Sequence, residues 1–184
     1  GDFLIKCNFD TVNVNQPGPN WSQTPSGTYT RPCGPAKSGL ATDYYLWLGS
    51  SATVPRSLAS VSFDLSTGGY IKFDMRYAAE GEGGVDGPPC EGVDAPAEGV
   101  YLQYSTNNGA SWTSIDYFSP NGGNDAFRTT WNTYSYTIPA AACTPSSRIR
   151  WYQDAANDAG TDHWGLDNIM IVRNDPAFKF DWLH

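Results

Sequence analysis

Apolar and polar side chains alternate with a period of two residues through the regular parts of this chain, and no stretch carries the apolar repeat of a helix. Between Tyr70 and Tyr77, Ile71, Phe73, Met75 and Tyr77 fall on one face and Lys72, Asp74 and Arg76 on the other, the pattern of a half-buried strand. Comparable segments run near 4–10, 44–48, 60–65, 100–104, 131–138, 148–153 and 164–172. Between them stand turn signals such as Thr67-Gly68-Gly69, Asn107-Asn108-Gly109 and Asn121-Gly122-Gly123, where glycine or asparagine supplies a positive φ. About eight or nine short antiparallel strands with no helix between them predict an all-β antiparallel sandwich, and the wide connections predict its jelly-roll form. The 184 residues suit one domain, expected over 1–173. Residues 174–184 then form a linker or tail toward a neighbouring domain of a larger chain.

Charge and cysteine usage narrow the function. A net charge of −8 repels nucleic-acid phosphates and anionic lipid surfaces, and no apolar run is long enough to insert in a membrane. Four cysteines, Cys7, Cys33, Cys90 and Cys143, stand outside any zinc-ligand spacing, so they read as disulfides of an oxidising compartment. Three pairings are open; Cys7–Cys33 with Cys90–Cys143 is favoured because each bond closes a loop within one half of the chain. Asn20-Trp21-Ser22 is a glycan acceptor sequon if the chain passes through a eukaryotic secretory pathway. Catalysis requires a base set against a nucleophile, or carboxylates facing across a cleft. Neither pattern occurs, so no catalytic residue is assigned and the chain is read as a binding module, not an enzyme.

Two kinds of binding chemistry remain. Asp10 follows the first strand and Asp167 lies in the last, and first and last strands of a jelly roll commonly pair, which would bring both carboxylates to one ion. Calcium takes 6–8 oxygen ligands, so Asp43 and backbone carbonyls of the loop 33–43 are expected to complete the sphere. The acidic stretch 80–98 and the group Asp154, Asp158 and Asp162 read more simply as solvated loops. Among the seven tryptophans, Trp112, Trp151 and Trp164 read as core, whereas Trp21 and Trp131 stand in or beside loops and are the candidate platforms for a sugar ring.

The stretch Ser105-Thr106-Asn107-Asn108-Gly109-Ala110-Ser111-Trp112 resembles an Asp-box with asparagine in the aspartate position, a motif whose role is to fold a hairpin turn. With the preceding block from Cys90 through Glu98-Gly99-Val100-Tyr101-Leu102-Gln103-Tyr104-Ser105, it resembles the subrepeat of reelin. Arg148-Ile149-Arg150-Trp151-Tyr152-Gln153 followed by Trp164-Gly165-Leu166-Asp167-Asn168-Ile169 carries the same resemblance, and the early and late acids are more distantly similar to MAM domains. The resemblance implies an extracellular or cell-surface jelly-roll module with bound Ca²⁺, Asp10 and Asp167 among its ligands, that recognises another protein. The alternative is a carbohydrate-binding module of the same fold.

Overall fold

The computed structural model describes residues 2–10, 18–24, 33–40, 42–49, 54–83, 89–123 and 125–174. Ten strands are defined: β1 (Asp2–Cys7), β2 (Trp21–Thr24), β3 (Leu46–Leu48), β4 (Arg56–Ser60), β5 (Gly69–Tyr77), β6 (Val100–Ser105), β7 (Thr113–Phe118), β8 (Asn132–Thr137), β9 (Arg148–Gln153) and β10 (Trp164–Arg173). Among the described residues a single 3₁₀ turn, Ala140–Ala142, interrupts them. All pairings between strands are antiparallel. One sheet has the order β1-β10-β5-β8, with β3 also on β10; the other runs β2-β4-β9-β6-β7. The chain is therefore the expected antiparallel jelly-roll sandwich, with its first and last strands adjacent.

The alternation seen in the sequence builds the core directly. Ile71, Phe73, Met75 and Tyr77 are all buried between the sheets and meet Leu58, Leu102, Ile149 and Trp151 of the opposite sheet. Phe73 packs edge-on to Trp151 with ring centroids 5.0 Å apart. A smaller cluster of Cys33, Ala36, Tyr45, Trp47, Ala78 and Cys90 lies apart from this core.

Several placements differ from the sequence reading. The strand expected near 60–65 lies earlier, at Arg56–Ser60; β2 comes from a stretch read as loop, and β7 was not among the expected strands. Both of these occupy sheet edges, where one neighbour suffices and the apolar signal is weak. The favoured disulfide pairing is overturned: Cys33 bonds Cys90, 57 residues away, while Cys7 and Cys143 are half-buried free thiols. Cys7 lies opposite Ile169 at the far end of β1 from the Gly68–Asn174 region that Cys143 approaches, so chain proximity was a poor guide to pairing. The proposed tail, 175–184, lies outside the described residues.

Candidate functional site

A defect in β10 creates the site. Trp164 and Leu166 point into the core before it, Ile169 and Ile171 after it, and the register with β5 slips between Asp167 and Met170. The extra residue is a β-bulge with Asn168 at φ 48°. The same bulge sits where the partner strand on the other side of β10 changes. β1 pairs with Ile169–Arg173 and β3 with Trp164–Leu166, so the end of β1 and the approach to β3 meet beside Asp167. Asp10 and Asp43 are in those two connecting stretches. The topology thus brings together the three acids anticipated from sequence.

Hydrogen bonds hold each of them. Asp10 accepts from the Tyr44 amide (2.8 Å) and from the Asn8 side chain (2.7 Å), which ties the end of β1 to the approach of β3. Asp43 accepts from the Ser38 amide at 3.2 Å. Asp167 is fully buried, and the bonds to its carboxylate come from its neighbour Asn168, the backbone at 2.7 Å and the side chain at 3.2 Å. Burial pushes its pKa up to about 8, helped by the negative charges of Asp43, Asp74 and Asp10. A carboxyl group that is neutral near pH 7 for want of a counter-charge is a place where a cation is favoured. Asp10, Asp43 and Asp167 do not form a ready-closed cage: among the described residues, the carboxylate trio within 4.8 Å of one another is Asp94, Glu98 and Asp162.

Next to these acids, the outer face of the first sheet carries a cleft of about 610 Å³ lined by Lys6, Cys7, Asn8, Lys37, Lys72, Asp74, Thr133, Asn168 and Met170. Asp74 is buried on the side of β5 away from the core and accepts from Lys37 Nζ at 2.7 Å, from Thr133, and from Asn168 Nδ2 at 2.9 Å. Asn168 also bonds Asp167, so one side chain links the cleft to the acids. A second depression of about 400 Å³, lined by Asp10, Lys37, Ser38, Leu40, Thr42, Asp43 and Asn168, shares Lys37 and Asn168 with the first. Sequence reasoning had named none of Lys6, Lys37, Lys72 or Asp74 as part of a site. The available signal was parity, since Lys72 and Asp74 fall on the face of β5 opposite Phe73 and Met75.

The other sequence candidates are scattered. Trp21 is buried against Trp151, with ring centroids 6.0 Å apart, so its faces are covered and the sugar-platform expectation for it is overturned. Trp131 is half-buried, packs edge-on against Tyr45 and donates to the Pro35 carbonyl at 3.0 Å, which makes it a support for the loop 33–40. Asn20 is exposed at the entrance to β2. Trp112 lies half-buried at the surface with the Arg150 guanidinium 4.2 Å over its ring, not in the core where it was expected. The Asp-box-like turn is formed as anticipated: Asn107 Oδ1 accepts from the Ser111 amide at 2.9 Å, and Trp112 Nε1 donates to the Gly109 carbonyl at 3.1 Å.

Solved structures of similar fold place this arrangement in context. The chain is similar to the K3 cleaved adhesin domain of Lys-gingipain from Porphyromonas gingivalis, with a TM-score of 0.62 and 12% identity over 94% of this chain and all of that one (100%). It is also similar to TmCBM61 in complex with β-1,4-galactotriose, with a TM-score of 0.53, 16% identity and coverage of 91% and 94%. A third, CBM27-1 of Caldicellulosiruptor saccharolyticus in complex with mannohexaose, gives 0.51, 13%, and coverage of 93% and 97%. At such identities these likenesses speak for the sandwich fold alone. The sequence pattern of reelin subrepeat B matches residues 26–172, through almost all of β10, and the chain belongs to the reelin subrepeat B family.

Proposed function

We propose that this chain is a non-catalytic extracellular recognition module whose lysine-lined cleft receives an acidic segment of a partner protein, steadied by one Ca²⁺ at Asp10, Asp43 and Asp167. The observation that carries the reading is the gathering of Lys6, Lys37 and Lys72, three of the four lysines in a chain of net charge −8, around a single cleft. Such concentration of one sign of charge in a concavity focuses the field and steers an oppositely charged partner. Asp74 faces Lys37 there and fixes its position, so the cleft presents a patterned surface instead of a diffuse positive patch.

Calcium fits the donors present. Asp10, Asp43 and Asp167 offer oxygen alone, the ligand class of a hard cation, and the buried Asp167 carboxyl lacks a cationic neighbour in contact. When bound, the ion supplies the positive charge that lets Asp167 ionise. Lys37 and Asn168 stand between this site and the cleft, so ordering the acids orders the cleft wall. Membership of the reelin subrepeat family and the Cys33–Cys90 bond support an oxidising, extracellular setting. No helix among the described residues is long and apolar enough to cross a membrane. His163 is buried and accepts from Trp47 Nε1 at 2.8 Å, which commits the imidazole to packing instead of proton transfer.

Capture of extracellular proteins on the immobilised chain tests the reading, with calcium or with chelator, for wild type and for Lys6→Ala/Lys72→Ala. Retention is expected to fall at least about tenfold in the double variant, on the order of 1 kcal/mol or less for each exposed charge pair and more where the cleft desolvates them. Unchanged retention in the double variant overturns the cleft. Binding on a glycan array that ignores both lysines selects the carbohydrate reading instead.

A further inference from the structure

The two acidic segments that look like independent solvated loops in the sequence converge in space. Asp94 and Glu98 lie in the connection from β5 to β6, and Asp162 in that from β9 to β10; one carboxylate oxygen from each falls within 4.8 Å of the others. The stretch 91–93 runs beside 162–163, with a parallel bridge between Gly92 and His163 and the His163 amide donating to the Glu91 carbonyl at 3.2 Å. Fully buried groups set this backbone. Gln153 Nε2 donates to the carbonyls of Glu98 (2.8 Å) and Asp162 (3.2 Å), and Arg56 donates to those of Asp158, Thr161 and Asp162.

Donors satisfy these carboxylates only in part. Asp162 is fully buried (0% exposed); its Oδ2 accepts from the Asn157 amide at 2.8 Å and from Thr161, but its Oδ1 has no hydrogen-bond partner. Glu91 Oε2, on the adjoining strand segment, is likewise buried and unpartnered. Glu98 is 4% exposed and accepts from the Ala95 amide at 2.8 Å, which leaves its second oxygen facing acids. Burial raises the Glu98 carboxyl above its ordinary range, and Asp162 raises it further; Glu91 and Asp94 are raised in the same way, chiefly by burial. An orphaned buried carboxylate oxygen is costly unless a donor or a cation meets it. The Arg56 guanidinium adds positive charge near Asp162, and it donates to the Gln153 side chain as well as to the backbone carbonyls of Asp158, Thr161 and Asp162.

We infer that Asp94, Glu98 and Asp162 form a second calcium site, separate from Asp10, Asp43 and Asp167, that staples the acidic β5–β6 connection to the β9–β10 connection. The donors are oxygen alone, which selects a hard cation over zinc or copper. Opposite ligands of a calcium ion with bonds of 2.3–2.6 Å stand about 5 Å apart, so oxygens within 4.8 Å of one another can share one calcium sphere. Glu91, whose orphan oxygen faces the same acids, is the reserve ligand.

Equilibrium dialysis of the intact chain against about 2 mM free Ca²⁺, in the range of extracellular modules, counts the ions. Wild type is expected to hold two. Asp94→Asn, at an exposed position where folding is not at stake, and Glu98→Gln are each expected to hold one, as is Asp167→Asn, with circular dichroism confirming the fold. Loss of one ion in both Asp94→Asn and Glu98→Gln supports the second site whatever Asp167→Asn does. Uptake unchanged in those two variants overturns it, including the case of a single ion lost only in Asp167→Asn, and no uptake by wild type overturns both sites together.

Discussion

At the scale of single residues, conformational demands and buried hydroxyls give two sharp expectations. Gly109 in the Asp-box-like turn has φ 88°, and a Cβ there would meet Arg148 Nη1 at 2.9 Å. Gly109→Ala is therefore expected to destabilise the fold by about 1–3 kcal/mol, read from urea denaturation midpoints. The mobile end of arginine can give way, so most of this cost belongs to the backbone. Tyr77, Tyr134 and Tyr136 are all raised above the ordinary tyrosine range, chiefly by burial. Tyr77 donates to the Phe118 carbonyl and accepts from the Val100 amide, while Tyr136 donates to Asp116, so ionisation would break both arrangements. A group whose folded pKa exceeds its unfolded value contributes stability below the unfolded pKa and loses it as pH rises. Stability should accordingly hold up to about pH 10 and fall above it, with the phenolate absorbance of these three appearing only on unfolding.

At the scale of elements, the β10 bulge and the disulfide do the positioning. Without the bulge, Asp167 and Ile169 would share a face of β10, and the core-facing run of Ile169 and Ile171 would be out of phase with Trp164 and Leu166. The Cys33–Cys90 bond joins the loop before β3 to the acidic connection after β5 and so couples the cleft wall to the second acid cluster. Removing it by Cys33→Ser/Cys90→Ser is expected to cost about 4 kcal/mol, from the loop of 57 residues that it closes. Thermal unfolding should then drop by roughly 10 °C for a chain of this size. Strands with strict alternation, such as β5, and strands with strong apolar content, such as β9 and β10, were readable in the sequence almost residue by residue. The edge strands β2 and β7 were not, because half of their hydrogen-bonding edge and much of their side-chain surface lie toward solvent.

At the scale of the whole molecule, calcium is expected to act as a folding ligand. An ion present at about a hundred times its dissociation constant adds roughly 2.7 kcal/mol to the folded state, so chelation should lower the melting temperature by about 5 °C or more. A circular dichroism melt compares the two conditions, with Asp167→Asn expected to blunt the response; an identical melt in chelator ends the calcium reading. The period-two pattern determined by itself that the chain folds as an antiparallel sandwich, because burying one face of each strand leaves sheets stacked face to face as the available solution. That Asp10 and Asp167 lie near one another followed from the expectation that first and last strands pair, which the adjacency of β1 and β10 bears out. Which cysteines bond, which tryptophans stay covered, that three distant lysines share a cleft, and that Asp162 faces Asp94 and Glu98 were decided only when the sheets closed. Those contacts join residues from separate loops, and their geometry depends on register, on a one-residue bulge and on how the connections fold over the sheet edges, none of which leaves a local trace in the chain.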